Sequence, residues 1–210
     1  MSMRNPVQVT PFPLYPESDG KPMAETDIHR QLMLDLLFAL ANYFQSQPDV
    51  YVSGNLLLYY VEGNPKKCVA PDVFVVRGVG NRQRRIYKLW EEGRAPEIVI
   101  ELSSRQTWRE DLQTKLQLYA QLGVREYYIF DPEYDYLPEP LLAYRLEDGI
   151  YLPLEIENGV VKSEALGLEL VETGETLRLR DLQTGELLPT ATDANAEIAR
   201  LRAELTRLRL

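Results

Sequence analysis

Two short apolar runs joined by a helix with a marked start and a marked stop constrain this chain more than any other feature. Glu97-Ile98-Val99-Ile100-Glu101-Leu102-Ser103 and Tyr127-Tyr128-Ile129-Phe130 are rich in β-branched and aromatic residues and read as strands. Between them Thr107-Trp108-Arg109-Glu110 matches the capping-box pattern, in which threonine and glutamate each satisfy an orphan helix amide. Leu112, Leu116 and Tyr119 follow as an apolar stripe, joined by Leu118 and Leu122, and Gly123 suits a left-handed helix end. So brief a crossover predicts a parallel strand pair with the helix covering one face. The fold class that follows is α/β.

The same segment carries the chemistry. The run 69–76 reads as a strand in which Asp72, Phe74 and Val76 share one face. In the next strand Glu97, Val99, Glu101 and Ser103 share a side, and Ile98, Ile100 and Leu102 take the other. Carboxylates set in apolar runs are rarely buried unless a cation or a metal pairs with them. Asp72 and Glu101, with the backbone carbonyl of Leu102, can supply oxygens to Mg²⁺ (or Mn²⁺), which keeps several waters of its own. Asp111, Lys115 and Tyr119 form a stripe at four-residue spacing, from which Lys115 can orient a water and offset charge on a phosphate. Glu25, one turn before His29, can add a further carboxylate. Each feature also has a plainer reading. Asp72 and Glu101 can accept backbone amides at strand ends, and Lys115 can pair with Asp111 across one helical turn.

Around this segment the chain divides into an extended arm over 1–24 with five prolines, a main domain over 25–190 and an amphipathic terminal helix over 191–210. The first helix is capped by Thr26 or Asp27 and has a stripe of Ile28, Leu32, Leu36, Leu40 and Phe44, widened by Met33 and Leu37; Pro48-Asp49 stops it. Residues 51–53 and 56–61 are strand-like. Strand-like runs at 141–146, 151–156, 168–170 and 177–179 alternate with glycine turns, and hairpins or a small antiparallel extension fit them. In the terminal helix Ile198, Leu201, Leu205 and Leu208 recur at spacings of three and four, as in a packed amphipathic helix or a short coiled-coil seam between two copies of a homodimer.

Charge argues against tight, indiscriminate DNA binding, because the formal balance is -9. It is unevenly spread. Arg77, Arg82, Arg84, Arg85, Lys88 and Arg94 face only Glu91 and Glu92 in their segment, which is either a phosphate-facing surface or a solvated loop. One cysteine, Cys68, allows no intramolecular disulfide, and no leader-like or membrane-spanning apolar run occurs, so the expected location is the cytoplasm with no membrane partner. One histidine and one cysteine are too few for the usual zinc sites. His29 reads chiefly as a packing or surface residue, with a contact behind the site as the lesser reading, and Trp90 and Trp108 read as packing residues.

Taken together, several stretches resemble the Uma2 family, a bacterial group abundant in cyanobacteria to which restriction-endonuclease activity is ascribed, within the PD-(D/E)xK nuclease superfamily. They run from Pro48-Asp49-Val50-Tyr51 and Ser53-Gly54-Asn55 through Pro71-Asp72-Val73-Phe74-Val75-Val76 and Tyr87-Lys88-Leu89-Trp90-Glu91-Glu92-Gly93. They continue through Glu101-Leu102-Ser103-Ser104 and Gly123-Val124-Arg125-Glu126-Tyr127 to Phe130-Asp131-Pro132. The resemblance implies a restriction-endonuclease-like mixed sheet flanked by helices and Mg²⁺-dependent hydrolysis of DNA. It makes Pro71-Asp72 the PD element and Glu101 the acid of the (D/E)xK element. Ser103 stands where that element has its lysine, and Lys115 is the substitute from the following helix; Glu25 matches the acid that some members take from their first helix. The alternatives are a catalytically inactive nucleic-acid-binding or assembly protein on the same scaffold, or hydrolysis of a small phosphorylated molecule.

Overall fold

In the computed structural model, which describes residues 13–18, 20 and 26–208, the architecture is mixed α/β. Helix α1 (Asp27–Tyr43) is capped by the Thr26 side chain, which accepts from the His29 amide. Strands β1 (Val50–Ser53), β2 (Leu58–Tyr59), β3 (Cys68–Val69), β4 (Val73–Arg77) and β5 (Tyr87–Lys88) follow, then the short helix α2 (Leu89–Glu92) and β6 (Ile98–Leu102). The crossover runs through α3 (Trp108–Glu110), a π-helical turn over Asp111–Lys115 and α4 (Leu116–Leu122), closed by Gly123 in the left-handed conformation. Strands β7 (Glu126–Phe130), β8 (Leu141–Glu147), β9 (Ile150–Pro153), β10 (Val160–Ser163), β11 (Leu168–Glu172) and β12 (Leu177–Asp181) precede the terminal helix α5 (Ala191–Leu208).

The main sheet has the order β1-β4-β6-β7-β8-β9. Its β6–β7 pair is parallel, as the crossover requires, and every other neighbour is antiparallel. Alternation along its strands makes two layers. Val73, Val75, Ile98, Ile100, Tyr128 and Phe130 meet α1 and the sheet β10-β11-β12. Phe74, Val76, Val99, Tyr127 and Ile129 meet Tyr119 of α4 and the partly buried Leu112 and Leu116. The sheet β10-β11-β12 is tied to the main sheet at the start of β7, where the buried Glu126 accepts from the Tyr128 and Ser163 hydroxyls and pairs with Arg145.

Several expected boundaries shift for physical reasons. The run 69–76 is two strands in different sheets, broken at Pro71, which has no amide to give a ladder. The run 56–61 narrows to β2. The segments expected as hairpins or a small antiparallel extension take both forms, β8 and β9 extending the main sheet as an antiparallel hairpin and β10–β12 forming a sheet of their own. The α1 stripe is buried as expected from Leu32 to Phe44 and departs only at its start, where Ile28 is 55% exposed and His29 is buried. That helix ends at Tyr43, ahead of Pro48-Asp49. The capping box does not form either. The Thr107 hydroxyl instead accepts from the Ser104 amide, and the Ser104 carbonyl takes the amides of Thr107 and Trp108.

Of the N-terminal arm, Tyr15 packs edge-on against Tyr59, whose hydroxyl donates to the Pro16 carbonyl. Among the described residues no helix is long and apolar enough to cross a membrane.

Candidate active site

The sheet register brings the two acids together. Val73 pairs with Ile100 across antiparallel β4 and β6, so one step outward Asp72 faces Glu101. The Asp72 amide lies 3.4 Å from Glu101 Oε2, and the Leu102 amide donates to Asp72 Oδ2 at 2.8 Å. Gly54 permits this close turn, since a Cβ there would sit 2.0 Å from the Asp72 carbonyl oxygen. The next residue fixes it, with the Asn55 amide donating to the Pro71 carbonyl.

The helical segment supplies the cation. Lys115 Nζ lies 3.0 Å from Glu101 Oε2 and 2.9 Å from Asp111 Oδ1. The plain i,i+4 pairing and the cross-element pairing therefore coexist. Both residues belong to the π-helical turn, a widened geometry recurrent at functional sites. Asp111 also accepts from the Ser103 hydroxyl at 2.9 Å, and its backbone carbonyl accepts from Tyr127. Tyr119, one turn beyond Lys115, donates to Glu101 Oε1 at 2.6 Å. From the opposite layer His29 Nε2 of α1 comes within 3.4 Å of Asp72 Oδ1. The site thus sits at the end of the sheet where both layers meet.

The electrostatics divide the two acids. Complete burial pushes the Glu101 carboxyl up to about 8 despite the opposing charge of Lys115, with Asp72 and Asp111 adding to the rise. Burial also pushes Asp72 upward, but hydrogen bonding from His29 and the Lys115 charge outweigh it and hold Asp72 below the usual value. Burial would depress the Lys115 amine, yet Glu101, Asp111 and Asp72 together hold it above the ordinary lysine range. Burial thus favours the neutral form of Glu101, while His29 and Lys115 favour the carboxylate of Asp72 and the surrounding acids favour the ammonium of Lys115.

Of the expected site residues, Asp72, Glu101 and Lys115 converge, and the Leu102 amide touches Asp72; Glu25 lies outside the described residues. Among the described residues no three His, Cys, Asp or Glu side chains cluster as a metal cage. The donor set nevertheless fits Mg²⁺, which is held by one or two carboxylates with waters and substrate phosphate completing its shell.

Three residues at the site carry more than their sequence reading assigned. Asp111 and Tyr119 were visible as the stripe with Lys115, since every fourth residue meets the same sheet edge. His29 lies at the start of the buried stripe, in the place its first apolar residue, Ile28, leaves for solvent. Spacings from His29 to Leu32, Leu36 and Leu40 trace the buried face equally well.

The basic segment is a largely exposed loop, as the plainer reading expects, and most of its cations meet an acid. The Arg84 side chain is 1% exposed, with its guanidinium on Glu92 at 2.7 Å and on the carbonyls of Val79, Gly80 and Arg82. Arg82 also pairs with Glu92, Arg85 with Glu17, Lys88 with Glu91 and Arg77 with Glu97. Replacing Arg84 with alanine is therefore expected to destabilise the fold by about 2 kcal/mol, measurable by urea denaturation. An unchanged midpoint would show that the buried guanidinium contributes nothing to stability.

Comparisons with known proteins agree with this architecture. The model of the Uma2 family, described as "Putative restriction endonuclease", matches residues 15–179. A crystal structure of "a putative nuclease belonging to DUF820 from Anabaena variabilis ATCC 29413" superposes with a TM-score of 0.52 at 15% identity, covering 70% of this chain and 76% of that one. At that identity the likeness concerns the fold. No curated protein matches.

Proposed function

The chain belongs to the Uma2 family, and on that premise we propose that it is an endonuclease that hydrolyses DNA phosphodiester bonds with Mg²⁺. The observation that carries this reading is the placement of the Lys115 ammonium 3.0 Å from Glu101, beside Asp72, at an end of the sheet. Asp72, Glu101 and the Leu102 carbonyl would hold the metal. When bound, Mg²⁺ neutralises charge on the scissile phosphate and makes a coordinated water more acidic. The chain's own residues do the rest. Leu102 and His29 orient Asp72, and Tyr119 orients Glu101. Asp111, itself held by Ser103, fixes the Lys115 amine, which positions the attacking water and offsets charge developing on the phosphate. Arg105 and Arg109, exposed on the segment between Glu101 and Asp111, supply phosphate contacts that the Arg77–Arg94 region, tied to its own acids, does not.

The test is nicking of supercoiled plasmid. The intact protein is expected to nick it with Mg²⁺ or Mn²⁺ and to stop on addition of chelator, whereas Asp72→Asn stays folded and inactive. Equal activity in wild type and Asp72→Asn would sink the assignment. The second reading, a non-catalytic nucleic-acid-binding or assembly protein, rests on Ser103 replacing the strand lysine. It predicts DNA retention without cleavage under every metal.

A further inference from the structure

We propose that α5 pairs with α5 of a second copy as a parallel, in-register two-stranded coiled coil. The helix begins on its own domain. Thr190 and Asp193 cap it reciprocally, and the Thr192 amide and hydroxyl bind Asp35 of α1. Beyond Ala194 the helix leaves the body, and Ile198, Leu201 and Leu205 are 45%, 45% and 56% exposed on one side. A lone helix of this length is marginal in water, so its stripe calls for a covering surface.

The flanking charges name the occupant. With Ile198 and Leu205 at a positions and Leu201 and Leu208 at d positions, Glu197 and Glu204 fall at g, and Arg202 and Arg209 fall at e. In a parallel pair each g residue faces the e residue five positions later on the other helix. That sets Glu197 against Arg202, twice over by symmetry, and the sequence repeats the pattern with Glu204 and Arg209. An antiparallel pair would oppose g to g and e to e, bringing glutamate to glutamate and arginine to arginine. The pattern therefore complements itself in one orientation only. In the single chain Glu197 is held by Arg200 on the exposed surface, a weak pairing that can exchange. Because α5 is anchored to α1 at its first turn, parallel pairing sets both domains at the same end of the coil.

The test is mass measurement of the full chain in solution across the micromolar range. Wild type is expected to reach a dimer, and Leu201→Glu/Leu205→Glu to remain monomeric with an unchanged thermal midpoint. Glu197→Arg/Glu204→Arg and Arg202→Glu/Arg209→Glu should each be monomeric alone and form a dimer when mixed. In a Cys68→Ser background, Leu208→Cys should cross-link under mild oxidation, since only parallel strands bring the two positions together. A wild-type monomer throughout, a dimer untouched by the leucine and charge changes, or a dimer that Leu208→Cys never cross-links would each overturn the proposal.

Discussion

Lys115→Ala is expected to lower the rate of metal-dependent phosphodiester cleavage by about 10²–10³-fold while changing KM for DNA by less than about threefold. The reason lies in what surrounds the amine. It bridges two carboxylates, at 3.0 Å and 2.9 Å, and its side chain is only 12% exposed. Such a group has little surface with which to bind the duplex in the ground state. On the proposed reading it acts instead on charge that develops as the phosphate is attacked. Ser103 cannot substitute, because its hydroxyl is neutral and already donates to Asp111. Removing the amine also leaves Glu101 without its nearest cation, so the comparison belongs at saturating Mg²⁺, where weakened metal uptake no longer limits the rate. A variant that keeps its kcat but loses affinity for DNA would make Lys115 a binding residue and require another source for the catalytic charge.

How much of this was legible beforehand depends on how local the cause is. The parallel β6–β7 pair was readable because its crossover is short and its helix ends at a glycine in the left-handed conformation. Strand alternation set Asp72 with Phe74 in one strand and Glu101 with Val99 in another, their meeting came from the β4–β6 register, and four-residue spacing gave the stripe of Asp111, Lys115 and Tyr119. What sequence hid was set by tertiary packing. The break between β3 and β4 needs two sheets to diverge at Pro71, and the loss of the capping box reflects competition from Ser104 for the Thr107 hydroxyl. His29 ranked low because a helix stripe read from apolar residues alone favours Ile28, and only the packing of α1 on the sheet sets the imidazole beside Asp72. The basic segment misled because a charge run says nothing of acids distant in sequence: Glu17 reaches Arg85 from the N-terminal arm.

Glu101→Gln should separate stability from activity, abolishing cleavage while leaving the metal-free protein more stable than wild type at alkaline pH. The sign follows from the Glu101 carboxyl, raised from its ordinary 4.5 to about 8 by burial. Between those values the folded protein keeps a proton that the unfolded chain has already released. The wild type therefore loses stability as pH rises through that window, by at most about 1.4 kcal/mol per unit, and the loss levels off once the folded group ionises. Glutamine has no proton to lose and can still accept from Tyr119, and Lys115 retains Asp111. The stability difference between the two proteins should consequently widen from about pH 5 to about pH 8 and then flatten, reaching several kcal/mol at most. Other titrating groups largely cancel in that difference. Mg²⁺ adds the functional arm, because an ion that displaces the Glu101 proton should restore wild-type stability above neutrality and do less for Glu101→Gln. Denaturation curves that stay parallel across this range, with and without Mg²⁺, would show that position 101 neither stores a proton nor receives a metal. The buried acid would then be an ordinary partner of Lys115.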